Sequence, residues 1–435
     1  MNFLKNTVSL LLMVLMVMTA GVSVAQNMNP SNLTASPYTR YGYGKLGTFG
    51  NAATRSMGEV GIAVRTNNYT TLANPASLTA IDTLTMIFSV GLDADFSTFT
   101  ENGKKERDWD AGFSYMSLHF PLWRNFAMSL SLSPYSMVGY SYGNVEKKPL
   151  QSPINRHDTL SIASIYNGVG GINNFMMGIG YRPFQTKMTE LNVGLNFGYL
   201  FGSIQHTVDL TTTSQANSTV VNHEMNVRGL LLQLGAQYTH RFNATRSLTV
   251  GAMFQPKLNL SVNTDVLKVS TDTLLSSDRF RSSIKSPMKF GFGATYSLAR
   301  ELMVSAEYEF SQWSGVSGFR TDLTPTDDIF TDVHRIAVGA EYVPRAGSNR
   351  FWQNCRYRVG FNTKNSYLLI NDKKLNEVAA TAGLSMPVNR RCFLDFGLGY
   401  SHMQPAGGSM LKEDYLTFSL GVTFNEMMFF RNKLR

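Results

Sequence analysis

The sequence has 435 residues, of which 16% are charged and 12% aromatic, and its formal net charge is +9. The lysines and arginines are scattered along the chain and form no dense basic run, which argues against a nucleic-acid partner. After the first 25 residues there is no apolar run of 18 or more, which excludes a helical membrane protein. A globular exported protein and a β-barrel remain, because a closed barrel is the other structure that satisfies its backbone in lipid.

The first 25 residues have the pattern of a secretory signal peptide. Lys5 supplies the positive start, residues 7–19 form an apolar run, and Ser23 and Ala25 are the small residues before the cleavage point. The apolar run is too short to span a bilayer as a helix. We therefore predict that residues 1–25 are a signal peptide and that the mature chain is exported.

Residues 26–82 do not alternate between apolar and polar and are rich in glycine, alanine, asparagine and threonine. A disordered tail is one interpretation of this composition. However, the segment contains enough apolar residues to pack against other parts of the protein. We therefore predict an N-terminal hatch, or plug, inside the barrel. The apolar residues are Met57, Val60, Ile62, Val64, Leu72 and Leu78.

From residue 83 onward, apolar and polar residues alternate with a period of two, which is typical of β-strands. The polar face carries asparagine and glycine in residues 191–201, and threonine, serine and glycine in residues 416–424. Small polar residues suit a barrel lumen better than a solvated surface. Several runs reach the roughly 9–11 residues that a tilted strand needs to cross a bilayer. The predicted strands are 83–100, 109–122, 126–142, 158–182, 191–213, 222–241, 247–263, 284–299, 301–313, 332–343, 352–363, 375–387, 392–402 and 413–425.

The predicted strands number fourteen, and bacterial barrels have an even number of strands. The sequence therefore predicts an all-β fold: a fourteen-strand antiparallel transmembrane β-barrel over residues 83–435, with a short periplasmic tail. The connections alternate between short and long, as expected for periplasmic turns and outer loops, and this places both termini in the periplasm. The tight connections include Pro121–Asn125, Phe242–Arg246 and Val388–Arg391, and the long ones include Gly143–His157, Thr264–Ser283 and Ser314–Thr331.

The strand order also bears on the two cysteines, Cys355 and Cys392. They lie near the same end of the eleventh and thirteenth predicted strands, so one strand separates them. At the usual strand spacing their backbones are about 10 Å apart. A disulfide needs Cα atoms within about 7 Å, so we predict two free thiols.

Catalytic and metal-binding patterns are absent from the sequence. The seven histidines include no pair with metal-ligand spacing, and there is neither a nucleophile elbow G-x-S-x-G nor a P-loop. We therefore predict no enzyme activity, no metal site and no cofactor.

Aromatic residues cluster near the predicted strand ends. Most fit an interfacial girdle, because amphipathic rings favour that depth in a bilayer. Phe99 and Trp109 lie near the predicted outer mouth, and we single them out as candidates for a hydrophobic entry groove.

Several short motifs resemble the FadL family, which includes long-chain fatty-acid transporters and toluene/xylene channels. The most specific is Asn74-Pro75-Ala76, at the boundary between hatch and barrel, where that family's hatch ends with a similar motif. Pro75 also biases Asn74 towards an extended conformation. A further match spans Ser286-Pro287-Met288 to Trp313-Ser314. The opening residues 36–42 and the tail 431–435 resemble a Bacteroidetes-type branch of the family.

A proline lies inside the third predicted strand, at Pro134. Proline removes a ladder hydrogen bond, so one interpretation is that the strand ends early. The resemblance implies another: an inward kink of the third strand that opens a lateral gate in FadL-type barrels.

The resemblance implies an outer-membrane channel of a Gram-negative, Bacteroidetes-like bacterium. Such a channel takes up hydrophobic small molecules, fatty-acid-like or aromatic, by hatch-gated passive or lateral diffusion. Its expected partners are that ligand, outer-membrane lipid and lipopolysaccharide, and the barrel-assembly machinery that inserts it, and it is expected to be a monomer. The alternative is a non-transporting barrel that acts as a protein-binding scaffold or as a shuttle in surface-protein secretion.

Overall fold

The computed structural model describes residues 34–427, except for residues 150–158, 213–217, 272, 300, 317–329, 349, 390–391 and 408–409. The predicted signal peptide and the tail 431–435 lie outside the described residues, and so does most of the predicted loop 314–331. Among the described residues, no helix is both long enough and apolar enough to cross a membrane.

Fourteen antiparallel strands form one closed barrel, in which each strand pairs with its neighbours in sequence and the last pairs with the first. The predicted fold class is confirmed. The strands are β1 (Thr85–Glu101), β2 (Lys104–Trp123), β3 (Phe126–Pro149), β4 (Thr159–Gln185), β5 (Thr189–Thr212), β6 (Ser218–Arg241), β7 (Arg246–Gln255 and Asn259–Ser270), β8 (Thr273–Lys285 and Met288–Leu298), β9 (Leu302–Gln312), β10 (Val333–Tyr342), β11 (Arg356–Ile370), β12 (Lys373–Pro387), β13 (Cys392–Pro405) and β14 (Lys412–Met427).

Strands β7 and β8 are each broken near a proline, Pro256 and Pro287, which cannot donate a ladder hydrogen bond. Both halves of β7 pair with β6, and the two halves of β8 pair with the matching halves of β7. Each pair of halves therefore occupies a single strand position of the barrel.

Strand β5 shows why the sequence forms a membrane barrel and where the membrane ends. Its outward residues from Leu191 to Phe201 are apolar, whereas its inward residues from Asn192 to Gly198 are polar or glycine. Beyond Phe201 the pattern reverses: outward residues are polar, and inward residues such as Ile204 are apolar and buried. The strand therefore crosses an apolar belt and then continues as part of a water-facing sheet.

This reversal corrects one predicted loop. The sequence suggests a long polar connection over Thr264–Ser283, but these residues form the hairpin between β7 and β8, which turns at Thr271. The outward residues of the hairpin are polar because they face water, which is why the segment resembles a loop. Residues 143–149, predicted as the start of another loop, likewise extend β3.

The two ends of the barrel differ. We call the end with the β2–β3 turn the turn end and the opposite end the loop end. The predicted contrast between short and long connections is only partly observed. The turn end includes a long connection with helix α2 (Phe351–Asn354), and the loop end includes two-residue turns at Asn102–Gly103 and Asn371–Asp372.

Residues 34–84, called the hatch below, lie inside the lumen. They comprise a 3₁₀ helix (Pro37–Arg40), a two-residue strand (Lys45–Leu46), helix α1 (Ala52–Arg55) and a second 3₁₀ helix (Pro75–Ala80). Hydrogen bonds link the hatch to strands on all sides of the barrel. Most hatch residues are consequently buried.

Inward-facing glycines let the hatch backbone approach the barrel wall. A side chain at Gly360 on β11 would collide with the backbone of Met57 and Gly58 in the hatch. In contrast, a Cβ at Gly399 on β13 would have ordinary contacts, the nearest at 3.6 Å. The small inward face predicted as a lumen is therefore a surface fitted to the hatch.

An apolar cluster closes the lumen towards the loop end. It joins the hatch, the strands β3 to β8, β11 and β12, and the segment after β9, and its largest members are aromatic. The cluster includes Tyr38, Tyr43, Tyr135, Tyr140, Trp313 and Tyr367.

Cys355 and Cys392 are both buried and both free. Cys355 immediately precedes β11 and Cys392 begins β13, and β12 lies between them, which is the separation that the strand order predicts.

Replacing Gly360 by alanine should displace the hatch, because the new methyl group would overlap hatch backbone, at a cost of about 1–3 kcal/mol. Limited trypsin digestion of the folded protein should then cut after Arg55 or Arg65 faster than in the wild type. Gly399→Ala is the matched control and should leave the digestion rate unchanged. Equal digestion of the two variants would contradict the close packing.

Candidate functional site

The barrel wall has a lateral gap between β2 and β3. These strands pair only from Met116 with Leu132 to Trp123 with Phe126. Towards the loop end, the described part of β2 pairs with β1 alone, whereas β3 pairs with β4. We call this opening, flanked by residues 104–115 of β2, the lateral gap.

The hatch covers the β3 side of the gap. Its strand Lys45–Leu46 pairs with Met137 and Ser136 of β3, and the Gly47 N–H donates to the carbonyl of Tyr135 at 2.9 Å. From Tyr135 to Gly139, therefore, the hatch replaces β2 as the neighbour of β3 on this side.

Pro134 lies where β3 parts from β2. Pairing with β2 stops at Leu132, and the register between β3 and β4 is irregular between Pro134 and Ser136. Because proline has no N–H to donate, this position suits the point at which a ladder ends. The structure thus places Pro134 at the edge of the gap.

The gap opens within the apolar belt. The outward residues of β2 beside it are Trp109, Ala111 and Phe113, and Trp109 is 51% exposed. Unpaired backbone groups are costly at this depth, because lipid offers them no hydrogen bonds. The free edge of β2 consequently favours a partner that can pair with it.

Charged side chains line the inside of the gap. The Lys45 amine lies 3.1 Å from Asp95, Arg55 pairs with Asp93, and Asp110 lines the same cavity of about 160 Å³. Burial lowers the pKa of Lys45, but the nearby carboxylates of Asp95 and Asp110 outweigh this effect, so its pKa is raised and the amine stays charged.

Phe99 and Trp109 do not line one groove. On β1 and β2, Phe96 pairs with Trp109, and Phe99 pairs with Glu106. The pleat therefore directs Phe99 into the barrel, where it packs edge-on against Tyr415, while Trp109 faces outward. The predicted entry groove built on both rings is wrong, because the two side chains lie on opposite faces.

Asn74, Pro75 and Ala76 join the hatch to the barrel. The side-chain oxygen of Asn74 accepts a hydrogen bond from the Ala76 N–H at 3.0 Å. Its amide donates to the carbonyls of Ile62 at 2.8 Å and of Ala252, on β7, at 3.2 Å. Asn74 is extended, as expected before proline, and fully buried. The motif thus begins a 3₁₀ helix and attaches the hatch to the wall.

A buried carboxylate on the barrel wall, which sequence reasoning missed, also holds the hatch. Glu307 on β9 accepts from the N–H groups of Gly61 and Ile62, both at 2.9 Å, and pairs with Arg335 on β10 at 2.6 Å. Glu307 occupies an inward position, where most strands carry small residues. This placement is the signal in the sequence that could have identified it.

A second ion-pair cluster lies towards the turn end. Glu190 on β5 pairs with Arg65 of the hatch at 2.6 Å and with Arg241 on β6 at 2.7 Å. Burial lowers the pKa of Arg65 to about 10, although Glu190 opposes this effect. The arginine remains protonated at neutral pH and fixes the hatch at this end.

An apolar cavity of about 200 Å³ lies between the hatch and the apolar cluster. Its wall combines aromatic rings with eight charged residues: three lysines, one arginine and four glutamates. The residues include Leu46, Phe49, Trp313, Tyr367, Lys289 and Arg335.

A sequence profile of the BamG family matches residues 6–435. The chain belongs to the BamG family. No curated protein matches the sequence. Solved structures with the same fold as this BamG family member include the Pseudomonas aeruginosa FadL homologue, which is 11% identical, with 87% of this chain and 99% of that chain covered and a TM-score of 0.56.

Two further structures share this fold. The Ralstonia pickettii toluene transporter TbuX is 14% identical, with 87% of this chain and 98% of that chain covered and a TM-score of 0.52. The CymD monoaromatic hydrocarbon channel is 14% identical, with 89% and 99% covered and a TM-score of 0.52. At these identities the comparison shows the FadL-type barrel fold of the BamG family member and not its substrate.

Replacing Asn74 by alanine should loosen the hatch, since it removes one cap and leaves buried carbonyl and N–H groups without their partner. We expect a loss of about 2–4 kcal/mol in the free energy of unfolding. Urea unfolding of the purified barrel, followed by tryptophan fluorescence, measures this loss. Asn67→Ala, at an exposed position of the same segment, should cost less than about 0.5 kcal/mol. Equal midpoints for the two variants would refute the anchoring role.

Proposed function

We propose that this BamG family barrel handles other proteins in the outer membrane, in the barrel-assembly setting that the family name indicates. The observation that carries the proposal is the lateral gap, which combines a free strand edge in the apolar belt with a charged inner lining. In this proposal the protein is a monomer in a Gram-negative outer membrane, with both termini periplasmic and no enzyme activity.

The charged lining favours a polypeptide over an apolar ligand. A hydrophobic molecule leaving the lumen through the gap would pass Lys45, Asp95 and Asp110. Removing water from these charged groups costs free energy, and an apolar surface forms no hydrogen bonds that would offset this cost. A polypeptide can instead pair its backbone with the edge of β2 and place polar side chains towards these charges.

The fixed hatch supports the same proposal. It is hydrogen-bonded to strands around the whole barrel, and Glu307 and Glu190 tie it to the wall. Opening the lumen would require these hydrogen bonds and the Arg65–Glu190 ion pair to break at once, so the outside of the barrel is the more accessible working surface.

Site-specific photocrosslinking in intact cells tests this proposal. A photoreactive amino acid at Trp109, beside the gap, should give defined protein adducts, with outer-membrane barrels or assembly factors among them. The same amino acid at Tyr238, a lipid-facing position on β6 that is 45% exposed, is the matched control and should give none. No protein adduct at position 109, or the same adducts at both positions, would refute the proposal.

A channel for hydrophobic small molecules is the second candidate function. The apolar cavity of about 200 Å³ favours it, and so does the fold shared with channels for monoaromatic hydrocarbons. In this candidate the break at Pro134 serves as the lateral gate, and fatty-acid-like or aromatic molecules pass the hatch by diffusion.

Pro134→Ala separates the two candidates. The variant restores an N–H and should favour closer pairing of β3 with β2, which narrows the gap. If the protein is a channel, uptake of labelled oleate or toluene by cells should fall severalfold. We expect unchanged uptake and a loss of adducts at position 109. Ser131→Ala, within the paired part of β3, is the control. Reduced uptake with intact adducts would establish the channel instead.

A further inference from the structure

The cavity behind the lateral gap has an excess of negative charge. Three cations and five carboxylates border it. Each cation is paired with one carboxylate: Lys45 with Asp95, Arg55 with Asp93, and Lys364 with Glu377. The remaining two carboxylates, those of Glu59 and Asp110, form no ion pair within the described part of the chain. With every group ionised, the wall of the cavity therefore has a net charge of −2.

Three buried polar atoms of this wall have no hydrogen-bond partner among the residues that the structure describes. They are one carboxylate oxygen of Asp110, the hydroxyl of Ser114 and the side-chain oxygen of Asn362. Ser114 is only 3% exposed and Asn362 only 2%. A buried polar atom without a partner costs free energy. Because all three atoms can accept a hydrogen bond, they favour a ligand that donates hydrogen bonds.

A cationic group matches both the charge and the unpaired acceptors. Guanidinium and ammonium groups carry one positive charge and offer only donors. A cavity of roughly 150 Å³ can hold a benzene molecule, so a group of this size fits into the present cavity of about 160 Å³. An apolar or anionic ligand would instead leave the carboxylates of Glu59 and Asp110 without compensation, which is costly away from water.

The position of Asp110 connects this cation to a polypeptide. Asp110 pairs with Asp95 of β1 on one side, and its other side faces the lateral gap. A strand that lies along β2 directs every second side chain into the barrel. Opposite residues of neighbouring antiparallel strands have Cβ atoms about 4.5–5.5 Å apart, so one of these side chains would reach the carboxylate of Asp110.

We propose that the cavity behind the lateral gap binds an arginine or lysine side chain of an extended polypeptide, with Asp110 and Ser114 as its ligands. The inference rests on the proposed function and deepens it, since it specifies which chemical feature of a protein partner the gap recognises. The cation neutralises part of the excess charge, and its N–H groups donate to the acceptors that have no described partner.

Photocrosslinking of the purified full chain in lipid nanodiscs tests the proposal, with the photoreactive amino acid at Trp109. The probe is a peptide of roughly eleven residues, the length of a membrane-crossing strand, with alternating valine and serine and one central arginine in place of a serine. Its control has citrulline, which is uncharged and has nearly the same shape. The arginine peptide should give about tenfold more adduct, as expected for charge-assisted hydrogen bonds. Equal yields, or no adduct with either peptide, would overturn the proposal.

Aspartate variants then locate the contact. Asp110→Asn should remove most of the preference for arginine over citrulline. Asp108→Asn is the matched control, because Asp108 lies on the same strand but is exposed and does not border the cavity. This control should keep the preference. Equal losses in the two variants would reflect general attraction by an acidic surface and would overturn the assignment to the cavity.

Ser114→Ala separates binding from a structural role. The hydroxyl has no described partner, so its removal should leave urea unfolding unchanged while the preference for arginine falls severalfold. An unchanged preference would overturn the role of Ser114. Loss of the preference in calcium chloride, but not in sodium chloride of equal ionic strength, would assign the cavity to a metal ion and overturn the side-chain ligand.

The inference and the proposed function fail separately. If cells give protein adducts at position 109 but the peptides show no preference for arginine, only the basic side chain in the cavity is refuted. If cells give no protein adduct at position 109, the proposed function fails, whatever the peptides do.

Discussion

Backbone hydrogen bonding in lipid is the constraint on which this structure depends. Pairing of β14 with β1 closes the barrel. Closure gives hydrogen-bond partners to backbone N–H and C=O groups that lipid could not satisfy. Closure also fixes the width of the lumen, which the hatch then fills. Glycine at positions such as Gly360 is a consequence, since the hatch backbone runs directly against the wall. The lateral gap is significant for the same reason, because one edge of β2 has no described partner strand within the apolar belt.

The sequence predicts the barrel well because, within the apolar belt, the alternation of apolar and polar residues has a single structural interpretation. From Leu191 to Phe201, apolar residues must face lipid, so the pattern specifies both the strand and its faces. Beyond the belt the same chain faces water, and its outward residues become polar. Thr264–Ser283 therefore resembles a loop in sequence although it is a β-hairpin. Local pattern alone does not show where the solvent changes.

The candidate site is less predictable because it depends on register and on distant contacts. Pro134 could be located from its own chemistry, since proline is unusual inside a strand. The faces of Phe99 and Trp109 depend on which residues of β1 and β2 are opposite each other, and the register shift between Gly91 and Leu92 is not evident from the sequence. The role of Glu307 requires knowing that the hatch lies beside β9.

The distribution of charge separates this barrel from a simple apolar conduit. Charged residues line both its inner cavity and its opening towards the membrane, and Lys45 borders both. An apolar ligand would therefore meet charged groups in the cavity as well as at the exit. A polypeptide can instead pair with the backbone groups of β2 that have no described partner strand beside the lateral gap. This opening in the hydrogen-bond network is a strand edge, and a strand edge is recognised most completely by another strand.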